Sequence, residues 1–349
     1  MRKVLTVLSL AVLLGACGSK NDASTTTTTT GGTGTTTTTT TTTPAKKSDP
    51  LAVMHAWGDA YQKGDWDKLK SLYAADAVIQ AAGMPQTFKG ADAAARFFKT
   101  FRASFPDMKA WPTHAFVKGD TVASIAMMKG THTKPMMGMP ATNKQVSFLG
   151  LDIVRIKDGK IVRQDLYADN YNFMVQLGMA KDPRVRPVWE GAEPTLVTAV
   201  STDNATEKKN LATVDELLKH FNAHDAMKAI AQYTADAWLD DQSAPARVGG
   251  NGNILKEYKG LFAMFPDAAL KDAKSWAAGD YVVTTYTFNG NNSGNVPGAP
   301  ATNKTVNLAA ASVFHLKDGK IANHAVFWDG AMFRMQLGIL KFPGAPGPK

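Results

Sequence analysis

Pro140-Ala141-Thr142-Asn143-Lys144 recurs unchanged as Pro300-Ala301-Thr302-Asn303-Lys304, an offset of 160 residues. The same offset carries Lys157-Asp158-Gly159-Lys160-Ile161 onto Lys317 to Ile321, Phe105-Pro106-Asp107 onto Phe265-Pro266-Asp267, and Gln176-Leu177-Gly178 onto Gln336-Leu337-Gly338. Solenoid units run roughly 20 to 50 residues, so a period this long means two copies of one domain. Positions at which the copies differ are the places where function has room to diverge.

Within a copy the hydrophobic pattern changes period once. Leu51, Met54 and Tyr61 recur at helical spacing, Gly64-Asp65 breaks the run, and Leu69 and Leu72 mark a second helix. A third helix follows Gly90 with the stripe Ala94, Phe97, Phe98 and Phe101, and ends at Phe105-Pro106-Asp107 because proline does not continue a helix interior. Thr113 to Lys118, Thr121 to Thr133, Gln145 to Lys157 and Lys160 to Ala168 then read as strands, with a hairpin turn at Asp158-Gly159. Asn172 to Leu177 reads as a short closing helix stopped by Gly178. Helices followed by an antiparallel run predict the α+β class, each domain a curved sheet with its N-terminal helices on one face.

The ends of the chain are of another kind. Arg2-Lys3, the apolar run Val4 to Leu14 and the small residues before Cys17 form a secretory signal, too short for the about 20 apolar residues that a membrane span needs. Leu14-Gly15-Ala16-Cys17 resembles the lipobox of bacterial lipoproteins, which implies lipidation of Cys17, the single cysteine of the chain, and attachment to the envelope membrane; Gly18 after it favours the outer membrane. An exported chain with one cysteine builds no internal disulfide, so its domains are held by their cores. Threonine dominates from Thr25 to Thr43 and offers nothing apolar to bury, which predicts a solvated tether. The expected division is a signal peptide over 1–17, a tether over 18–49, domains over 50–182 and 207–343, a linker stiffened by Pro183, Pro187 and Pro194 over 183–206, and a tail over 344–349. Hydrophobic residues make up 44% and charged residues 20% of the chain, ordinary values for globular domains. The formal charge of +9 is spread without a basic stripe interleaved with aromatics, which argues against nucleic-acid binding.

The Phe-Pro-Asp end, the Gly130-Thr131-His132 strand, the Gly-x-Pro-Ala-Thr-Asn-Lys loop, the Asp-Gly-Lys-Ile hairpin and the Gln-Leu-Gly end together resemble the SnoaL-like polyketide cyclase or ester cyclase family. The resemblance covers nearly all of each copy and implies the cone of the nuclear-transport-factor-2-like superfamily, here as two tandem cone-shaped domains that pack as a pseudo-dimer. It also implies a pocket for a small molecule between sheet and helices, with no cofactor. The family's carboxylate position falls on Leu166 and Val326, and its histidine position on the preceding strand falls on Asp152 and Ser312. With the acid absent at its family position in both copies, binding of a small, mainly apolar molecule is the leading expectation.

Enzymatic action on a small carbonyl compound in the first domain, with His132 and Asp152, is the alternative, and a structural module of the envelope is a second one. Alternation along the strand puts Gln164 on the face of Leu166, and His324 on the face of Val326, with Trp328 two residues on; these five are the expected ligand contacts. His132 has Asn292 as its counterpart and reads either as a base or as a histidine orienting a loop; His324 reads either as a ligand contact or as a bonded core residue. Asp169 and Asp329, each before the closing helix, read as N-caps. Met127, Met128, Met136, Met137 and Met139 around His132 would suit Cu(I), but the second copy lacks them and an adaptable apolar flap accounts for them as well, so no metal site is expected.

Overall fold

A carboxylate, a proline and a glycine place the first helix. In the computed structural model, which describes residues 49–341 apart from 85, 137 and 138, Asp49 accepts from the Leu51 amide, Pro50 takes the first helical turn, and Gly64 ends the helix at φ 69°. The signal, Cys17, the threonine tether, Met137 and the tail from 342 lie outside the described residues.

The first copy contains α1 (Pro50–Lys63), α2 (Trp66–Ser71), β1 (Tyr73–Ala81), β2 (Phe88–Lys89), α3 (Ala91–Ser104), β3 (Lys109–Lys118), β4 (Thr121–Thr131), β5 (Gln145–Lys157), β6 (Lys160–Tyr167) and α4 (Asn170–Gln176). The strand β7 (Val197–Val200) follows within the expected linker. The second copy repeats the order with α5 (Ala205–Asn222), α6 (Ala226–Ile230), β8 (Tyr233–Asp241), β9 (Val248–Gly249), α7 (Asn251–Met264), β10 (Ala269–Ala278), β11 (Tyr281–Asn291), β12 (Thr305–Lys317), β13 (Lys320–Phe327) and α8 (Gly330–Gln336).

The expected cone-shaped, curved antiparallel sheet is not found. The sheets run β2-β1-β6-β5-β4-β3-β7 and β10-β11-β12-β13-β8-β9, two open mixed arrays with strands left at their edges, neither closed nor strongly curled. They are mixed because β1 leaves α2 and returns beside the last strand of its copy, where it pairs in parallel with β6, as β8 does with β13. β7 adds a second parallel pair against β3, with His114 opposite Val197.

The repeated motifs hold this frame in both copies. Asp107 accepts from the Thr131 amide at 2.7 Å and Asp267 from the Asn291 amide at 2.7 Å, which ties the end of each long hairpin to the helix turn. Gln176 and Gln336 accept from the amides of Ser147 and Asn307 and fix each closing helix to its sheet. Along β5 the two faces separate by alternation: Leu149, Leu151 and Ile153 join an apolar cluster with Phe116, Ile125, Val283, Val313 and Phe327 of both sheets, while Gly150, Asp152 and Val154 face the helices. Asp169 and Asp329 cap α4 and α8 as expected, and each also crosses between copies. Asp169 Oδ1 accepts from the Gly330 amide at 2.8 Å, and Asp329 Oδ2 accepts from Asn170 Nδ2 at 2.7 Å.

Candidate functional site

Between the helix-facing side of the first sheet and helices α1 and α3 lies a cavity of about 850 Å³, within the range of small-molecule sites. Met54, Trp57 and Tyr61 from α1 and Phe97, Phe98 and Phe101 from α3 cover it. Its floor is the cross-strand row Ser124, Asp152 and Leu166, with Ala126 and Gly150 beside it. Small side chains make the space: a Cβ added to Gly150 would meet nothing within 4 Å.

Asp152 is the polar centre. Burial pushes its carboxyl up from 3.8 to about 7, against the lowering effect of the bond from Gln164. That bond ends a chain with one possible direction. Trp57 Nε1, a donor only, bonds Tyr73 Oη at 2.8 Å; the Tyr73 hydroxyl donates to Gln164 Oε1; and Gln164 Nε2 donates to Asp152 Oδ2 at 2.9 Å. Oδ2 is committed to this bond, so Oδ1 is the oxygen available to a ligand. A carboxyl that titrates near neutrality in an apolar, ligand-sized cavity can both take and return a proton.

The second copy fills the equivalent space with its own side chains. Tyr286 stands where the first copy has Ala126, Tyr258 where it has Phe98, Ala310 where it has Gly150, and Trp328 where it has Ala168. An unbroken line of hydrogen bonds links Tyr258, Tyr233, His324, Ser312 and Tyr286, with separations of 2.7, 2.8, 2.9 and 3.0 Å. Burial lowers His324 to about 3, which keeps its ring neutral. Trp328 packs edge-on to Phe333 and donates to Asp241 Oδ1 at 2.7 Å; Val326 lies opposite Ser312 in the ladder. The expected contacts His324, Val326 and Trp328 are therefore held by protein groups and line no part of the 850 Å³ cavity.

His132 lies apart from Asp152. It follows the end of β4, and Asp152 pairs with Ser124, so eight residues of strand, roughly 25 Å, separate the two along the ladder. The His132 ring is fully buried, stacks on Phe105 at 5.1 Å, and accepts at Nδ1 from the Thr142 amide at 3.3 Å. Asn292 does the same for its loop, taking the Thr302 amide at 2.9 Å. Both residues hold the Pro-Ala-Thr-Asn-Lys loop, and the structure places His132 and Asp152 at different points along the sheet. Of the remaining expected contacts, Leu166 lines the cavity and Gln164 lies buried behind it as the positioning partner of Asp152. Sequence reasoning missed Trp57 and Tyr73, and the signal that could have found Trp57 is its replacement by Leu217 in the second copy. Among the described residues no cluster of His, Cys, Asp and Glu is arranged to hold a metal ion.

The chain belongs to the SnoaL-like polyketide cyclase family, whose model matches residues 51–177 and again residues 212–337. Among solved structures, IdmH, a candidate polyketide cyclase from Streptomyces antibioticus, is 29% identical, with coverage of 38% of this chain and 99% of its own and a TM-score of 0.35. A candidate SnoaL-like polyketide cyclase from Jannaschia sp. CCS1 is 17% identical, covering 40% and 98% with a TM-score of 0.36. A phenazine biosynthesis-related protein from Pseudomonas aeruginosa is 19% identical, covering 40% and 95% with a TM-score of 0.34. No match is found among curated proteins.

Proposed function

We propose that the first domain is an acid–base enzyme acting on a small, mainly apolar carbonyl compound, with Asp152 as the group that moves the proton. The observation that carries this reading is the part-buried Asp152 carboxyl, raised to about 7, at the centre of the floor of the 850 Å³ cavity; Asp169, the other raised carboxyl of the lining, is taken up in capping α4. Leu166, at the family's carboxylate position, lies directly opposite Asp152 in the β5–β6 ladder, so an acid at 152 reaches the same face one strand over. In the proposed step Asp152 Oδ1 takes a proton from the carbon next to the carbonyl, the C–H pair forms the enolate double bond, and the carbonyl pair moves to oxygen. Return of the proton to the same carbon gives exchange, and its delivery to a different carbon of a conjugated enolate completes an isomerisation. In ring closure the enolate carbon attacks a second carbonyl of the same molecule, and the new alkoxide takes the proton back from Asp152.

The second copy serves as a partner in a single-chain pseudo-dimer, the space equivalent to the cavity being occupied by its own side chains. The lipobox-like Leu14-Gly15-Ala16-Cys17 supports export and attachment of the chain to an envelope membrane, testable by fatty-acid labelling that is lost in Cys17→Ser. The enzymatic reading is tested with the purified full chain in heavy water, following deuterium entry into the methyl group of naphthyl methyl ketone by NMR. Asp152→Asn should slow the exchange by about 100-fold or more, and the wild-type rate should rise through neutral pH as Asp152 ionises. Equal rates in the two proteins overturn the proposal.

A further inference from the structure

Tyr61 is only 2% exposed, lines the cavity, and has a buried hydroxyl with no hydrogen-bond partner. Its ring is packed against four neighbours. It stacks on Trp57 at 5.5 Å, meets Trp66 and Phe98 edge-on at 6.2 and 6.3 Å, and carries the Arg102 guanidinium 5.3 Å over its face. Arg102 also donates to the carbonyls of Tyr61 and Gln62 at 2.6 and 2.9 Å, which pins the last turn of α1. Leaving a buried hydroxyl unpaired is costly, so an orphan locked in place beside a cavity indicates a partner that arrives with the ligand.

The internal repeat supplies a control. The second copy has Phe221 at the place of Tyr61 and Ser312 at the place of Asp152, so the hydroxyl is missing where the carboxyl is missing. Burial, reinforced by the Asp152 charge and opposed by Arg102, raises the phenol to about 12, which keeps it a donor throughout the neutral range.

We infer that Tyr61 is a second catalytic residue of the first domain, its hydroxyl donating a hydrogen bond to the carbonyl oxygen of the bound compound while Asp152 removes the proton from the adjacent carbon. The inference rests on the acid–base reading given above. As the C–H pair moves into the new double bond, negative charge gathers on the carbonyl oxygen, and a fixed donor at that point stabilises the transition state more than the ground state. Tyr61 keeps its own proton, and the proton in transit stays on Asp152.

Infrared difference spectra of naphthyl methyl ketone bound to the full-length protein read this hydrogen bond without requiring turnover. In the wild type and in Asp152→Asn the carbonyl band should lie below its frequency in hydrocarbon solvent. In Tyr61→Phe it should return to that frequency, with affinity roughly 3- to 10-fold weaker, the worth of one hydrogen bond. Phe221 shows that this place on the helix accepts phenylalanine. An unshifted band in the wild type, an equally shifted band in Tyr61→Phe, or failure of the ketone to bind overturns the assignment. If the band is unchanged in Tyr61→Phe while Asp152→Asn abolishes deuterium exchange, Tyr61 alone loses its role. If the band depends on Tyr61 but exchange is indifferent to Asp152→Asn, the acid–base reading fails and the catalytic role of Tyr61 fails with it.

Discussion

Replacing Asp152 by asparagine should make the protein more stable at alkaline pH. The folded state raises this carboxyl from 3.8 to about 7, so the folded chain still holds the proton over a range in which the unfolded chain has lost it. Wild-type stability relative to Asp152→Asn therefore falls as pH rises from about 4 to about 7, and is level above that. Ionising the carboxyl in place costs about 4 kcal/mol at full burial, and about 2 kcal/mol if water in the cavity screens its open side. Asparagine retains an oxygen to accept from Gln164 Nε2, so the hydrogen-bond chain from Trp57 survives the substitution. Urea unfolding of both proteins, repeated across this pH range and subtracted, removes the common titrations of His324, Asp169 and Asp329. A difference curve flat to within about 0.5 kcal/mol would refute the reasoning, because the surroundings of Asp152 would then not be those of a buried group.

Ala126→Tyr should transplant the Tyr286 plug into the first copy, abolishing binding of the naphthyl ketone in titration calorimetry while the circular dichroism spectrum is kept. His132→Ala should lower stability by about 1–2 kcal/mol through loss of its loop bond and its packing on Phe105, yet leave ketone exchange at the wild-type rate. Gly330→Ala places a methyl group 2.7 Å from Asp169 Oδ1 and strains the hydrogen bond between the copies; a cost of about 1.5–3 kcal/mol should appear as a lower melting temperature.

The features legible in the sequence were those that repeat. The 160-residue offset, the helices ended by Gly64 and Phe105, and the hairpin at Asp158-Gly159 rest on local chemistry that both copies keep. β1 escaped notice because Tyr73-Ala74-Ala75-Asp76-Ala77 is rich in alanine and follows α2 without a turn signal. With it went the parallel pairing that sets Ile79 beside Gln164, which made an antiparallel sheet the natural expectation and hid the approach of Tyr73 to Gln164. The separation of His132 from Asp152 depends on register along β4 and β5, which composition does not encode. The differences Tyr61/Phe221 and Ala126/Tyr286 were present in the sequence, but their meaning needed the cavity on which they bear.

β7 bears on how this chain can be divided. The family match to the first copy stops at residue 177, whereas the first sheet is completed twenty residues later by Val197–Val200 alongside His114 to Val117. Cutting where sequence similarity fades would strip that border strand and bare the amides and carbonyls of β3, a surface that invites chains to join edge to edge. A first domain meant to stand alone should therefore keep its residues through Val200.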